Sequence, residues 1–455
     1  MDTFNRKQFF YSSGIYGIFL FTFLLSESLI NDRAAVVLGS NMVNFIYSCG
    51  LVCTASGYLL YPFFRKHMPN NRIISVVLLT VCFISVICMI FAESPALFIV
   101  SAFLSLILLG ICGGSIHFGC AISLRGSHWL GRIIGTGIAF SVVIQFVVQE
   151  LLSGTIPVLC VSIALGYVSM AIFAVVRQPI FFETTSQHAS VAGVAKRALI
   201  LSIATVALMS LVLGLNDGIM TMLNANGTVK LYSYPRLVYG ISVLLAGFIA
   251  DKAKRRFLAF STGCTMLLYL IVFICLNDPA LYLVNISVFY LFSGFYVVYF
   301  TVEFLDIAPS TSNPALFAGM GRISRSLSIA VIAVPAPLLY ASLGPLPILA
   351  FCLMGVIGVF VLFFVSNKLV FSEDLESSPD NSKVTEWQKR YSLTPRETDV
   401  LAKVLKSDRS VAELAGELFI SERVMYRYLT SIYEKTNTKS RIGLVIKFHD
   451  DKDPV

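Results

Sequence analysis

Residues 73 to 92 read IISVVLLTVCFISVICMIFA, twenty consecutive residues without a charge. A run this apolar crosses the ~30 Å of bilayer hydrocarbon as a helix, because a helix satisfies every backbone N–H and C=O internally. Working outward from it, comparable stretches lie near 10–31, 42–63, 95–118, 133–153, 156–177, 198–222, 232–250, 257–276, 279–302, 323–341 and 346–366, which makes twelve. Of the 455 residues, 56 % are hydrophobic and 13 % charged, so a soluble globular protein is excluded for most of the chain. The expected fold is all-α: a twelve-helix transmembrane bundle over 1–368, followed by a small soluble domain.

The charges give the expected orientation. With the N-terminus inside, seventeen of the twenty Lys and Arg before residue 371 fall on the cytoplasmic side, and only Arg33, Lys230 and Arg236 do not. This positive-inside bias predicts cytoplasmic N- and C-termini in a bacterial inner membrane. No small-residue cleavage site follows the first span before the second, so that span is expected to be retained. The ten cysteines all lie within spans or at their ends; Cys49 and Cys53 share a helix face but have no His or acid beside them and are read as packing residues. His117, alone in the fourth span, is read as structural.

Compared with itself at an offset of 190 residues, the chain brings Gly57 onto Gly247, Arg65-Lys66 onto Arg255-Arg256, Gly131-Arg132 onto Gly321-Arg322, and Glu27 onto Asp217. Such coincidences indicate two six-helix repeats, about 1–177 and 197–368, joined by a polar loop near 178–196. The pattern resembles the major facilitator transporters. Gly247, Asp251, Lys252, Arg255 and Arg256 resemble that family's gating loop, which implies a charge lock between the halves. At the matching place in the first half Asp is replaced by Tyr61, so the lock there is degraded.

Ionisable groups inside spans cost ~2.5–3.5 kcal/mol on insertion scales unless they are paired or face water. Glu27 and Asp217 sit in the first helix of each half, with Asn216 beside Asp217, and Gln145, Gln149 and Glu150 make a polar stripe in the fifth span. These residues are expected to line a pocket for an unknown small solute, a cation or a proton; the plainer alternative is interhelical hydrogen bonding.

After Lys368 the sequence turns acidic and Ser-rich, and 369–391 reads as a flexible cytoplasmic linker. Leu393-Thr394-Pro395-Arg396-Glu397 then opens a helix with a capping box and a proline at its first position. A second capping box, Ser410 to Glu413, opens a short helix, and Ser421 caps a third that runs to about Thr436. A short helix, a tight turn at Phe419-Ile420 and a longer helix make a helix-turn-helix within a small four-helix domain over 392–455.

These residues resemble the C-terminal domain of the LuxR-type transcriptional regulators. The likeness rests on Leu393 to Glu397, on Ala412-Glu413-Leu414-Ala415 with Leu418 to Glu422, and on Lys435 to Arg441. It implies double-stranded DNA as partner, with Ser421, Glu422, Arg423, Tyr426, Arg427 and Thr430 on the recognition helix. It also implies that Lys439 and Arg441 position the backbone and that two copies pair through the last helix, Ser440 to Phe448. Tyr426 and Tyr428 stand where the family usually has Lys and His, so the base preference is not carried over. From residue 379 onward 14 Lys and Arg face 12 Asp and Glu, a weak positive charge that favours dimeric binding.

The leading expectation is a membrane-bound, one-component transcription regulator whose transmembrane domain senses a small molecule. The alternative is a secondary transporter of the facilitator class with a regulatory DNA-binding tail; a weaker one makes the helix-turn-helix a docking module for another protein. The five His are scattered at 67, 117, 128, 188 and 449, and no nucleophile and base, phosphate loop or metal-ligand spacing occurs. No enzyme activity, metal or cofactor is expected.

Overall fold

The computed structural model describes residues 6–67, 72–152, 154–176, 194–231, 233–252, 255–275, 278–376, 381–406, 411–418, 420–438 and 440–450. Every regular element among them is helical. The chain divides into two compact units, Met1–Lys368 and Leu369–Val455.

In the first unit the principal helices are α1 (Arg6–Val37), α2 (Val43–His67), α3 (Arg72–Phe91), α4 (Pro95–Ser123), α5 (Leu130–Phe146) and α6 (Ile156–Val176). They continue as α7 (Val194–Ala225), α8 (Pro235–Ala250), α9 (Arg256–Tyr269), α10 (Ile271–Cys275), α11 (Tyr282–Ile307) and α12 (Pro314–Phe317). The unit closes with α13 (Met320–Ala333), α14 (Ala336–Leu343) and α15 (Pro345–Glu376). The boundaries have local causes. Ser94 caps α4 by accepting from the Leu97 N–H with Pro95 at the first helical position. Pro335, which has no N–H to donate, marks the 45° bend between α13 and α14.

Nine helices among the described residues are long and apolar enough to cross a membrane, or ten if α13 and α14 form one bent span. Pro235–Ala250 and Phe257–Tyr269 are apolar but shorter. Large apolar side chains such as Ile73, Val100 and Leu165 face outward, which is compatible with hydrocarbon as the surrounding medium.

The helices pair in a recurrent way. The main partners are α2 with α4, α1 with α5, and α5 with α8; equally, α8 packs on α11, α7 on α13, and α13 on α2. Two crossings are close because glycine meets backbone. Gly57 lies against Ile107 and Gly110, and a Cβ on Gly247 would come within 2.5 Å of the Gly131 carbonyl.

The second unit holds α16 (Asn381–Arg390), α17 (Pro395–Lys406), α18 (Val411–Glu417), α19 (Glu422–Thr436) and α20 (Arg441–Asp450). Their apolar faces close over one core that includes Leu401, Leu414, Met425, Ile432 and Leu444. Here the structure differs from the linker expected over 369–391. α15 runs on to Glu376, and Asn381–Arg390 is a helix whose Trp387 is 1 % exposed and stacks edge-on against Phe448 at 4.9 Å. One large aromatic ring with somewhere to be buried outweighs the polar composition around it.

Candidate functional site

The C-terminal unit is organised around the start of α17. Thr394 and Glu397 cap it reciprocally: the Thr394 N–H donates to Glu397 Oε2 at 2.7 Å, and the Glu397 N–H to Thr394 Oγ1 at 3.3 Å. The same carboxylate holds α19 in place, accepting from Ser431 Oγ at 2.6 Å and Lys435 Nζ at 2.7 Å. Burial opposes its ionisation. The Lys435 ammonium, the Ser431 hydroxyl and the Thr394 donors outweigh that and hold the Glu397 pKa at about 2.

Ser421 caps α19 through the Val424 N–H at 3.4 Å. Met425, Leu429 and Ile432 are buried, and Val424 and Tyr428 are half-buried, which turns the opposite face outward. On it Glu422, Arg423, Tyr426, Arg427 and Thr430 are all exposed, Tyr426 by 56 %. The Thr430 hydroxyl donates to the Tyr426 carbonyl at 3.0 Å. The Arg427 guanidinium lies 5.9 Å from the Tyr428 ring centre. Asn437, left-handed at φ 49°, ends the helix. Arg441 is half-buried and reaches the Val404 carbonyl at 3.5 Å, so part of its bonding capacity serves the module itself. Lys439 and the turn residue Phe419 lie outside the described residues.

Residues 391–448 match the family of bacterial regulatory proteins, luxR family. Through this module the chain belongs to the luxR family. The spore germination protein GerE of Bacillus subtilis (strain 168) is 34 % identical over 65 residues, which cover 14 % of this chain and 86 % of that protein. A transcriptional regulator with a DNA-binding helix-turn-helix is thereby supported, and nothing points to an enzyme.

The luxR module follows a unit with a polar interior. A cavity of about 120 Å³ lies within this unit, bordered by Glu27, Asp217 and Tyr47 and by Arg236, Arg322 and Arg325. Its size is that of a small organic molecule rather than of one water. The Tyr47 hydroxyl donates to Asp217 at 2.6 Å, while Asn44 ties α2 to the Gly218 carbonyl at 2.9 Å.

The structure thus brings Glu27 and Asp217 together, but not the other three residues expected to accompany them. Gln145 is fully buried. It donates to the Leu24 carbonyl at 3.3 Å and accepts from Arg236 at 2.7 Å, holding the arginine rather than lining the cavity. Asn216, also fully buried, turns to Asn285 at 3.4 Å. Gln149 donates to Ser28 at 3.0 Å and borders a separate cleft with Asp32 and Lys230.

Sequence reasoning missed the arginines. Arg322 and Arg325, which the charge bias assigns to the cytoplasmic side, border the cavity from α13; their signal is a pair of arginines one helical turn apart at the start of an apolar run. His117 sits between Tyr16 and Tyr58 hydroxyls at 3.3 and 3.4 Å and beside the Gly113 carbonyl at 2.8 Å, a fully bonded core histidine.

The expected gating loop forms a latch between α8 and α5. Asp251 accepts from the Gly131 N–H at 2.8 Å and the Arg132 N–H at 3.1 Å, first-turn donors of α5 that have no carbonyl within the helix to bond, and pairs with Arg132 and Arg255. Arg255 also reaches Asp306 at 2.7 Å, from a left-handed conformation at φ 70° that its bonds hold in place. Gly247 permits the approach. Lys252 is exposed, and the Arg256 side chain lies outside the described residues.

Proposed function

We propose that this chain is a membrane-embedded, one-component transcription regulator: its helix-turn-helix binds double-stranded DNA from the cytoplasmic face of a bacterial inner membrane, and its apolar unit senses a small molecule. The observation that carries the reading is a luxR module with an exposed recognition face following a bundle that encloses a charged cavity. In this reading α19 enters the major groove. Arg423 and Arg427, one turn apart, meet base edges or phosphates, Tyr426 and Thr430 offer hydroxyls, Ser421 and Glu422 lie at the helix start, and Lys439 and Arg441 position the backbone. Two copies pair through α20, on which Ile446 is 53 % exposed.

The apolar unit is read as twelve spans in two six-helix repeats. The recurrent pairing supports this, since α2–α4, α1–α5 and α5–α8 have counterparts in α8–α11, α7–α13 and α13–α2. Glu27 and Asp217, which correspond at the 190-residue offset, border one cavity. Sensing requires a ligand that prefers one arrangement of the halves, and the Asp251 latch is the contact such a change would make or break.

A second reading, a secondary transporter with a regulatory tail, is favoured by that same latch. Two measurements separate them. Expression of the full chain changes transcription from its target promoters, and Arg423→Ala with Arg427→Ala abolishes the change. Gradient-driven solute uptake into vesicles by a fragment ending at Lys368 would favour the transporter.

A further inference from the structure

The charges around the central cavity do not balance. Arg236, Arg322 and Arg325 face Glu27 and Asp217, three cations against two carboxylates. Their bonding is more uneven still. Asp217 is engaged by the Tyr47 hydroxyl, and Arg236 by Gln145 and by the Tyr290 hydroxyl at 3.0 Å. Among the described residues no carboxylate comes within salt-bridge distance of Arg322 or Arg325. Instead the Arg322 guanidinium lies 5.3 Å from the Phe300 ring centre, and its buried Nε has no hydrogen-bond partner. A buried guanidinium with no carboxylate in bonding contact is stabilised by an incoming anion.

Spacing and shape narrow the anion. Arg322 and Arg325 are three residues apart on α13 and so project from one side of it, and the planar fork of a guanidinium matches a carboxylate. The remaining wall is rich in aromatic faces, among them Phe23, Tyr239, Phe289 and Tyr296, which suit a flat apolar body. Glu27 and Asp217 repel a second negative group. We infer that the cavity binds a small aromatic monocarboxylate, its carboxylate on Arg322 and Arg325 and its ring among the tyrosines and phenylalanines. The inference rests on the sensor reading only for its consequence; binding itself is independent of it. It narrows the expected small solute to one chemical class, in place of a cation or a proton.

The test uses the full chain in lipid nanodiscs and equilibrium dialysis of three matched series: benzoate, phenylacetate and 3-phenylpropionate, their neutral amides, and their amines. At least one carboxylate is expected to bind ten-fold or more tightly than its amide and its amine. Arg325→Gln should weaken that binding at least ten-fold and Arg325→Lys by less, with an unchanged helical circular-dichroism spectrum and thermal melt of the full chain as the control for folding. Amines that bind more tightly than carboxylates, or no carboxylate that outcompetes its amide, would overturn the inference. A promoter reporter run in parallel separates it from the sensor reading. Carboxylate binding with an unresponsive reporter leaves the site standing and removes the sensor, while a reporter that answers only to the amines does the reverse.

Discussion

At the residue scale, two arginines and one glutamate carry most of the consequences for the DNA-binding unit. Arg423 and Arg427 are exposed on the face that α19 presents, with the core on the other side. Each Arg→Ala change is expected to weaken DNA binding by about 1–3 kcal/mol while leaving the melting temperature of the unit unchanged, as measured by titration at fixed salt and by thermal unfolding. Glu397 acts within the fold, holding two helices together. Its folded-state pKa of about 2 lies below the ordinary 4.5, so its contribution is fully present above about pH 4.5 and is lost as pH falls toward 2. That contribution is on the order of 1–3 kcal/mol. Glu397→Gln should therefore lower stability at pH 7 and flatten its dependence on pH across that window, followed by the fluorescence of the buried Trp387. The capping partners Thr394 and Glu397 were legible in sequence because a capping box is a local pattern. Arg322 and Arg325 were not, since counting charges near span ends cannot tell an arginine in a loop from one turned inward.

At the scale of elements, α16 shows how composition misleads. Asn381 to Arg390 contains Lys383, Glu386, Lys389 and Arg390, and reads as polar; among its described side chains Val384 and Trp387 alone are buried, and they dock it. Trp387→Ala is expected to cost ~3–5 kcal/mol, and a fragment beginning at Tyr391 should melt below one beginning at Asp380. Equal melting of the two fragments would show α16 to be dispensable. The face of α19 followed directly from apolar spacing, because a helix of one soluble unit has one core to face. The apolar unit lacks that cue: Gln145 and Asn216 are polar like Asp217, and only the positions of Leu24, Arg236 and Asn285 determine that they are satisfied away from the cavity. The latch between α5 and α8 gives a further expectation. Asp251→Asn removes the charge that the α5 N-terminus and two arginines share, and should raise hydrogen exchange at Gly131 and Arg132 relative to the parent chain.

At the scale of the whole molecule, if the apolar unit lies in a bilayer as proposed, the DNA-binding unit cannot diffuse to its promoter and the promoter has to reach the membrane. The net charge of the C-terminal end is small, 14 Lys and Arg against 12 Asp and Glu from residue 379, and the proposed pairing of two copies would supply the affinity that one copy lacks. The central claim is that the intact, membrane-inserted chain binds DNA through α19. Its most direct measurement is DNA capture by full-length protein in lipid nanodiscs across a salt series, with the Arg423→Ala, Arg427→Ala double variant alongside. Binding that weakens steeply with salt and is lost in the double variant is the expected result. Inserted, folded protein that captures no DNA at low salt, or captures it equally well in the double variant, would contradict the account.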